Sequence, residues 1–153
     1  MRKFKFTLQS VHNVREMRQE REGLILAQLQ AEADTAAATV ANIGQMRLQA
    51  IDDYALRLGG GEQMTSMEME LNSNHFASLN RLQQEAERTL AEKNHACRGQ
   101  SEKVALAMRE VKITDQLRDN QRSRHESEYQ RQEQNSVDEM ISTRFARQLS
   151  HTK

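Results

Sequence analysis

The sequence predicts an all-α protein, an antiparallel two-helix coiled-coil hairpin with unequal helices over about residues 8–58 and 66–147. Three observations predict it. The 153 residues contain no proline, where average usage would give about seven, so no side chain enforces a helix stop. Apolar residues recur at alternating steps of three and four along two long stretches, which is the spacing of a coiled-coil seam. Gly59, Gly60 and Gly61 stand in a row, and three consecutive residues of high backbone entropy make one convincing turn.

At the start, Thr7 is placed to cap a first helix, with Phe6 and Val11 spanning its first turn as a hydrophobic staple. Leu26, Leu29, Ala33, Ala36, Val40, Ile43, Ala50 and Tyr54 then form a seam, interrupted once by the charged Arg47. Gly23 and Gly44, like Gly99 further on, stand alone in this pattern; each costs roughly 1 kcal/mol relative to Ala without stopping a long helix. The turn is expected over residues 59–65. Thr65 followed by Glu68 matches a capping box, so a second helix begins near Ser66. Its seam reads Leu79, Leu82, Ala86, Leu90, Cys97, Val104, Met108 and Val111, broken at Lys93 and at Gln100 with Ser101. At 1.5 Å per residue the helices would be roughly 75 and 120 Å long. With two tyrosines, four phenylalanines and no tryptophan, a thick core is not expected, and the shape should be elongated.

A short loop makes the helices antiparallel neighbours. A turn centred near Gly61 and Glu62 sets Leu26 near Cys97, and Leu8 near Asp115 or Gln116. The 19 residues from Arg118 to Ser136 carry one large apolar side chain, Tyr129. In this register they begin where the first helix ends, so a helical extension over about 117–149 is expected to lack a partner. Apolar residues then return at Val137, Met140, Ile141, Phe145 and Leu149. Such an end self-associates, stays solvated, or inserts into another protein. Both chain ends fall toward one end of the hairpin, so Phe4 and Phe6, interleaved with Arg2, Lys3 and Lys5, could join the tail in one contact region.

Candidate chemistry is sparse. His12, His75, His95, His125 and His151 are far apart and lack metal-ligand spacing, so they read as surface histidines and no metal or cofactor is expected. No Lys-Ser or Lys-Thr follows the glycine triplet, which reads as a hinge rather than a phosphate loop. Asp52 and Asp53 diverge by about 100° on a helix, which is wrong for a shared acid-base site. Cys97 falls on the seam as a packed thiol and, being single, forms no intrachain disulfide; it fits a reducing compartment. The arginines of the polar run, Arg118, Arg122, Arg124 and Arg131, are matched by Asp119, Glu126, Glu128 and Glu133, leaving no net charge to displace counterions, so nucleic acid is not an expected partner. The longest aliphatic cluster is Leu24 to Ala27, so neither membrane insertion nor a signal peptide is expected. Enzymatic activity is not expected.

The opening Phe4-Lys5-Phe6-Thr7-Leu8, followed by Val11, Val14, Arg15 and Glu20, resembles the N-terminal pattern of the bacterial flagellar export protein FliJ family. The overall plan is similar as well: two unequal helices and a polar final third before a weakly apolar end. The resemblance implies a cytoplasmic stalk and escort component of the flagellar type III export apparatus, peripherally associated with the inner membrane at the flagellar base. Implied partners are the hexameric export ATPase, the export-gate membrane protein and substrate chaperones. It implies an ATPase-binding surface at Phe4, Phe6, Val137, Met140, Ile141 and Phe145. It implies a gate-binding surface at His75, Phe76, Leu79, Leu82 and Ala86, part of which also fits the hairpin seam. The family more commonly has an aromatic-aliphatic pair where His75-Phe76 stand here. Two alternatives stay open: the equivalent stalk of a virulence-type secretion system, and a self-associating coiled-coil scaffold.

Overall fold

The computed structural model describes residues 4–61 and 63–150, with side chains through Arg147. Expectations for Arg2, Lys3, Glu62, His151 and the Leu149 side chain lie outside the described residues. Helix α1 spans Gln9–Gly59 and α2 spans Ser66–Ser150, within three residues of the expected limits at every end. The two pack against each other as a two-helix hairpin.

Each terminus has a local cause. At the start of α1 the first helical bond runs from the His12 amide to the Leu8 carbonyl at 2.9 Å. The cap position is therefore Leu8, not Thr7. Phe6 is 9% exposed, in the core; burying a phenylalanine is worth about 1.5–3 kcal/mol, more than the roughly 1 kcal/mol of a side-chain cap. At the far end the Gly60 amide reaches the Leu56 carbonyl at 3.0 Å, and Gly61 takes φ 74°. That left-handed conformation is cheap only without a Cβ. Across the turn the capping box forms as expected. The Thr65 amide donates to Glu68 Oε2 at 2.9 Å, and the Glu68 amide donates to Thr65 Oγ1 at 3.3 Å. The Thr65 amide first, and then the Thr65 hydroxyl donating to Oε2 at 3.1 Å, hold the Glu68 carboxyl below its ordinary value.

On α1 the expected seam residues from Leu26 to Tyr54 are all buried or half-buried. On α2 the seam runs Leu79, Gln83, Ala86, Leu90, Lys93, Cys97, Gln100, Val104, Ala107, Val111, Thr114 and Arg118, again buried or half-buried. Leu82 and Met108, expected on it, are 48% and 53% exposed. The reason is geometric. A supercoiled helix keeps its three-four step whatever side chain falls there, so the seam passes through Gln83 and Ala107 rather than detouring to larger apolar neighbours.

The chain divides into two compact units. In Glu20–Leu106, polar side chains bridge the two helices. Gln100 donates to the Glu22 carbonyl at 3.1 Å, Lys93 to Glu32 Oε2 at 2.6 Å and Arg47 to Gln83 Oε1 at 3.2 Å. The first two pairs bracket Leu26 and Cys97, in agreement with the expected register. The other unit joins the chain through Gln19 to the chain from Ala107 onward. Here pairing lies a few residues further along α2 than expected. His12 meets Thr114 and Arg118, and the Phe4 ring sits edge-on to His125 with centroids 5.8 Å apart. The polar run is therefore accompanied at its beginning, through His125. From Glu126 to Arg147 every residue is exposed.

Candidate protein-interaction site

The most buried polar side chains lie beside the chain start. His12 is 2% and Thr114 1% exposed. Imidazole Nδ1 stands 3.0 Å from Thr114 Oγ1; that hydroxyl also reaches the Val111 carbonyl at 2.8 Å and the Glu110 carbonyl at 3.3 Å, and with its proton committed to the helix backbone the ring nitrogen takes the donor role. Nε2 faces Glu16 Oε1 at 3.2 Å and Asp115 Oδ1 at 3.6 Å, and Arg118 donates to that same Asp115 oxygen at 2.8 Å. His12, expected on the surface, is thus a buried linchpin of α1 against α2. Its position gave a signal: it lies two heptads before the seam residue Leu26.

Of the expected ATPase-binding residues, Val137, Met140, Ile141 and Phe145 are 49%, 68%, 48% and 63% exposed. They fall at i, i+3, i+4 and i+8, so they share one side of α2. With Arg144 and Arg147, the first three line an open groove of about 660 Å³. Phe4 is half-buried against His125, while Phe6 belongs to the core. The structure therefore leaves the tail accessible and commits Phe6 to packing.

The expected gate-binding strip also divides. His75 and Leu82 are exposed, and Phe76 is half-buried with its ring edge-on to Tyr54 at 6.0 Å. Ala86 is half-buried and Leu79 is 3% exposed, both on the seam. Sequence reasoning missed the polar pairs of the seam because it treated Lys93, Gln100 and Arg47 as interruptions. In the Lys93–Glu32 pair the hydrogen bond comes first and the opposite charge second; together they hold the carboxyl below, and the ammonium above, its ordinary value.

Among the described residues no three His, Cys, Asp or Glu side chains gather as metal ligands, and no helix is long and apolar enough to cross a membrane. What this hairpin offers is helix surface, and its fold defines a two-helix coiled-coil protein. The chain matches the family described as "Flagellar FliJ protein" over residues 4–150, and it belongs to that family. Its role is flagellar and export-related. No curated protein and no solved structure matched it.

Proposed function

We propose that the protein is a stalk and escort component of the flagellar type III export apparatus, acting without catalysis. It binds the hexameric export ATPase through Val137, Met140, Ile141 and Phe145, with Phe4 at the margin, and links the ATPase to the export gate and to substrate chaperones. It works in the cytoplasm, at the membrane face of the flagellar base. The observation that carries this reading is the tail: a helical segment exposed at every residue from Glu126 to Arg147, with four large apolar side chains at helical spacing. Apolar surface of this kind on a helix is a docking element. At the gate, the exposed residues are His75 and Leu82, with Phe76 half-buried beside Tyr54; Leu79 holds the hairpin together and contributes indirectly. The test is binding of the full chain to purified export ATPase. Phe145→Glu and Met140→Glu should abolish it while circular dichroism is unchanged. Undiminished binding by both variants would reject the tail as the contact.

A further inference from the structure

Beside the polar His12 cluster, the same pair of helix segments has a second exposed side of opposite character. On α1, Val11, Val14 and Arg18 fall at i, i+3 and i+7; on α2, Glu110, Ile113 and Leu117 do the same. Such triplets each line one side of a helix. One ion pair ties the triplets together, Arg18 Nη1 to Glu110 Oε2 at 3.4 Å, and beside it Arg15 donates to the Glu110 carbonyl at 2.9 Å. Running antiparallel from that bridge, Val14 comes level with Ile113, and Val11 with Leu117. All four are exposed, at 59%, 51%, 41% and 41%. On the α1 flank of the pair, Ser10, Val11, Val14, Arg15 and Arg18, with Glu110 from α2, line a groove of about 470 Å³, and the Ile113–Leu117 side of α2 adjoins it. The other side of the pair carries Gln9, Asn13, Glu16 and Asp115, hydrogen-bonded to one another or facing His12.

We propose that this groove docks an acidic amphipathic helix of a partner protein. Val11 and Val14 in the groove, with the exposed Ile113 and Leu117 beside it, give a third helix an apolar surface to pack against, with aliphatic anchors at i, i+3 or i+4 and i+7. The charge sets the partner's sign. Two guanidinium groups, Arg15 and Arg18, rim the groove against the single carboxylate of Glu110, which leaves an excess of positive charge there. On the far side Arg118 already neutralises Asp115 and Glu16 adds negative charge, so that side offers an acidic helix no matching positive excess. The surface is separate from the tail of the preceding section.

The test uses two labelled synthetic helical peptides of equal length, with leucines at i, i+3 and i+7. One is flanked by Glu and the other by Lys at the same positions. Each is titrated with the full chain at low and high salt. The acidic peptide should bind, more weakly at high salt, and Val14→Asp and Arg18→Glu should each weaken it about tenfold or more. Met108→Asp should leave binding unchanged, because Met108 is equally exposed but lies two residues from Glu110, on the other side of α2. The lysine peptide should bind Arg18→Glu better than wild type. Equal binding of both peptides, no binding of either, or an equal loss with Met108→Asp overturns the proposal. So does a dimer of the protein alone, seen by sedimentation, that Val14→Asp dissolves, since a second copy would then fill the groove. Circular dichroism of each variant separates lost binding from lost folding.

Discussion

Thr114→Val tests the buried polar cluster most directly. The substitution keeps the shape of the side chain and removes the oxygen that accepts from His12 Nδ1 at 3.0 Å. Because His12 is 2% exposed, water does not readily replace that acceptor, and leaving a buried donor unsatisfied costs about 1–3 kcal/mol. His12→Leu acts differently. The Thr114 hydroxyl still donates to the Val111 carbonyl at 2.8 Å, so no buried donor is stranded, and a leucine adds apolar contact; the cost should stay below about 1 kcal/mol. The double variant should be more stable than Thr114→Val alone, since removing both partners removes the unmet bond. Urea denaturation followed by helical circular dichroism measures all three, with unchanged slopes confirming that one transition is compared. A neutral Thr114→Val, or a His12→Leu as costly as Thr114→Val, would refute the donor assignment.

Other consequences can be checked on the same material. Glu32 is held below its ordinary value, so its contribution is present above the unfolded value and is lost as pH falls through the lowered one. Lys93 is held above its ordinary value, so its contribution is present below the unfolded value and is lost as pH rises through the raised one. Glu32→Gln should therefore flatten the acid limb of the stability profile, and Lys93→Gln the alkaline limb. Thr65→Ala should cost about 1 kcal/mol by removing the cap of α2, read as a lower urea midpoint. Gly61→Ala places a Cβ at φ 74° and should cost about 1–2 kcal/mol, whereas Gly44→Ala, with nothing within 4 Å of the added methyl, should stabilise the helix by up to about 1 kcal/mol.

Much of the fold was legible because helix length, turn and cap are encoded locally. The absence of proline, the glycine triplet and the Thr65–Glu68 spacing each act within a few residues. The α1 seam was legible because almost all its members are apolar. On α2 the same step falls on Gln83, Lys93, Gln100 and Thr114, and attention to hydrophobicity drew Leu82 and Met108 inward when geometry leaves them outside. The stagger beside the chain start was hidden for a related reason. It is set by His12 meeting Thr114 and by Phe4 meeting His125, contacts between polar and aromatic side chains distant in sequence. As for the candidate site, the exposure of 126–147 was legible from the unequal lengths of the two helices, whereas the fate of Phe6 depended on tertiary packing that local pattern does not reveal. The exposed side at Val14 and Ile113 depends on how the two helices register against each other.

The polar pairs of the seam also bear on how the two helices respond to a pull along their length. A uniform apolar zipper could shear by seven residues and find a nearly equivalent fit. Here the same slip would carry Lys93 from Glu32 toward Ile25 and Leu26, or toward Thr39 and Val40. Every seven-residue step thus meets mismatched teeth, and a load applied to one helix passes to the other without creep.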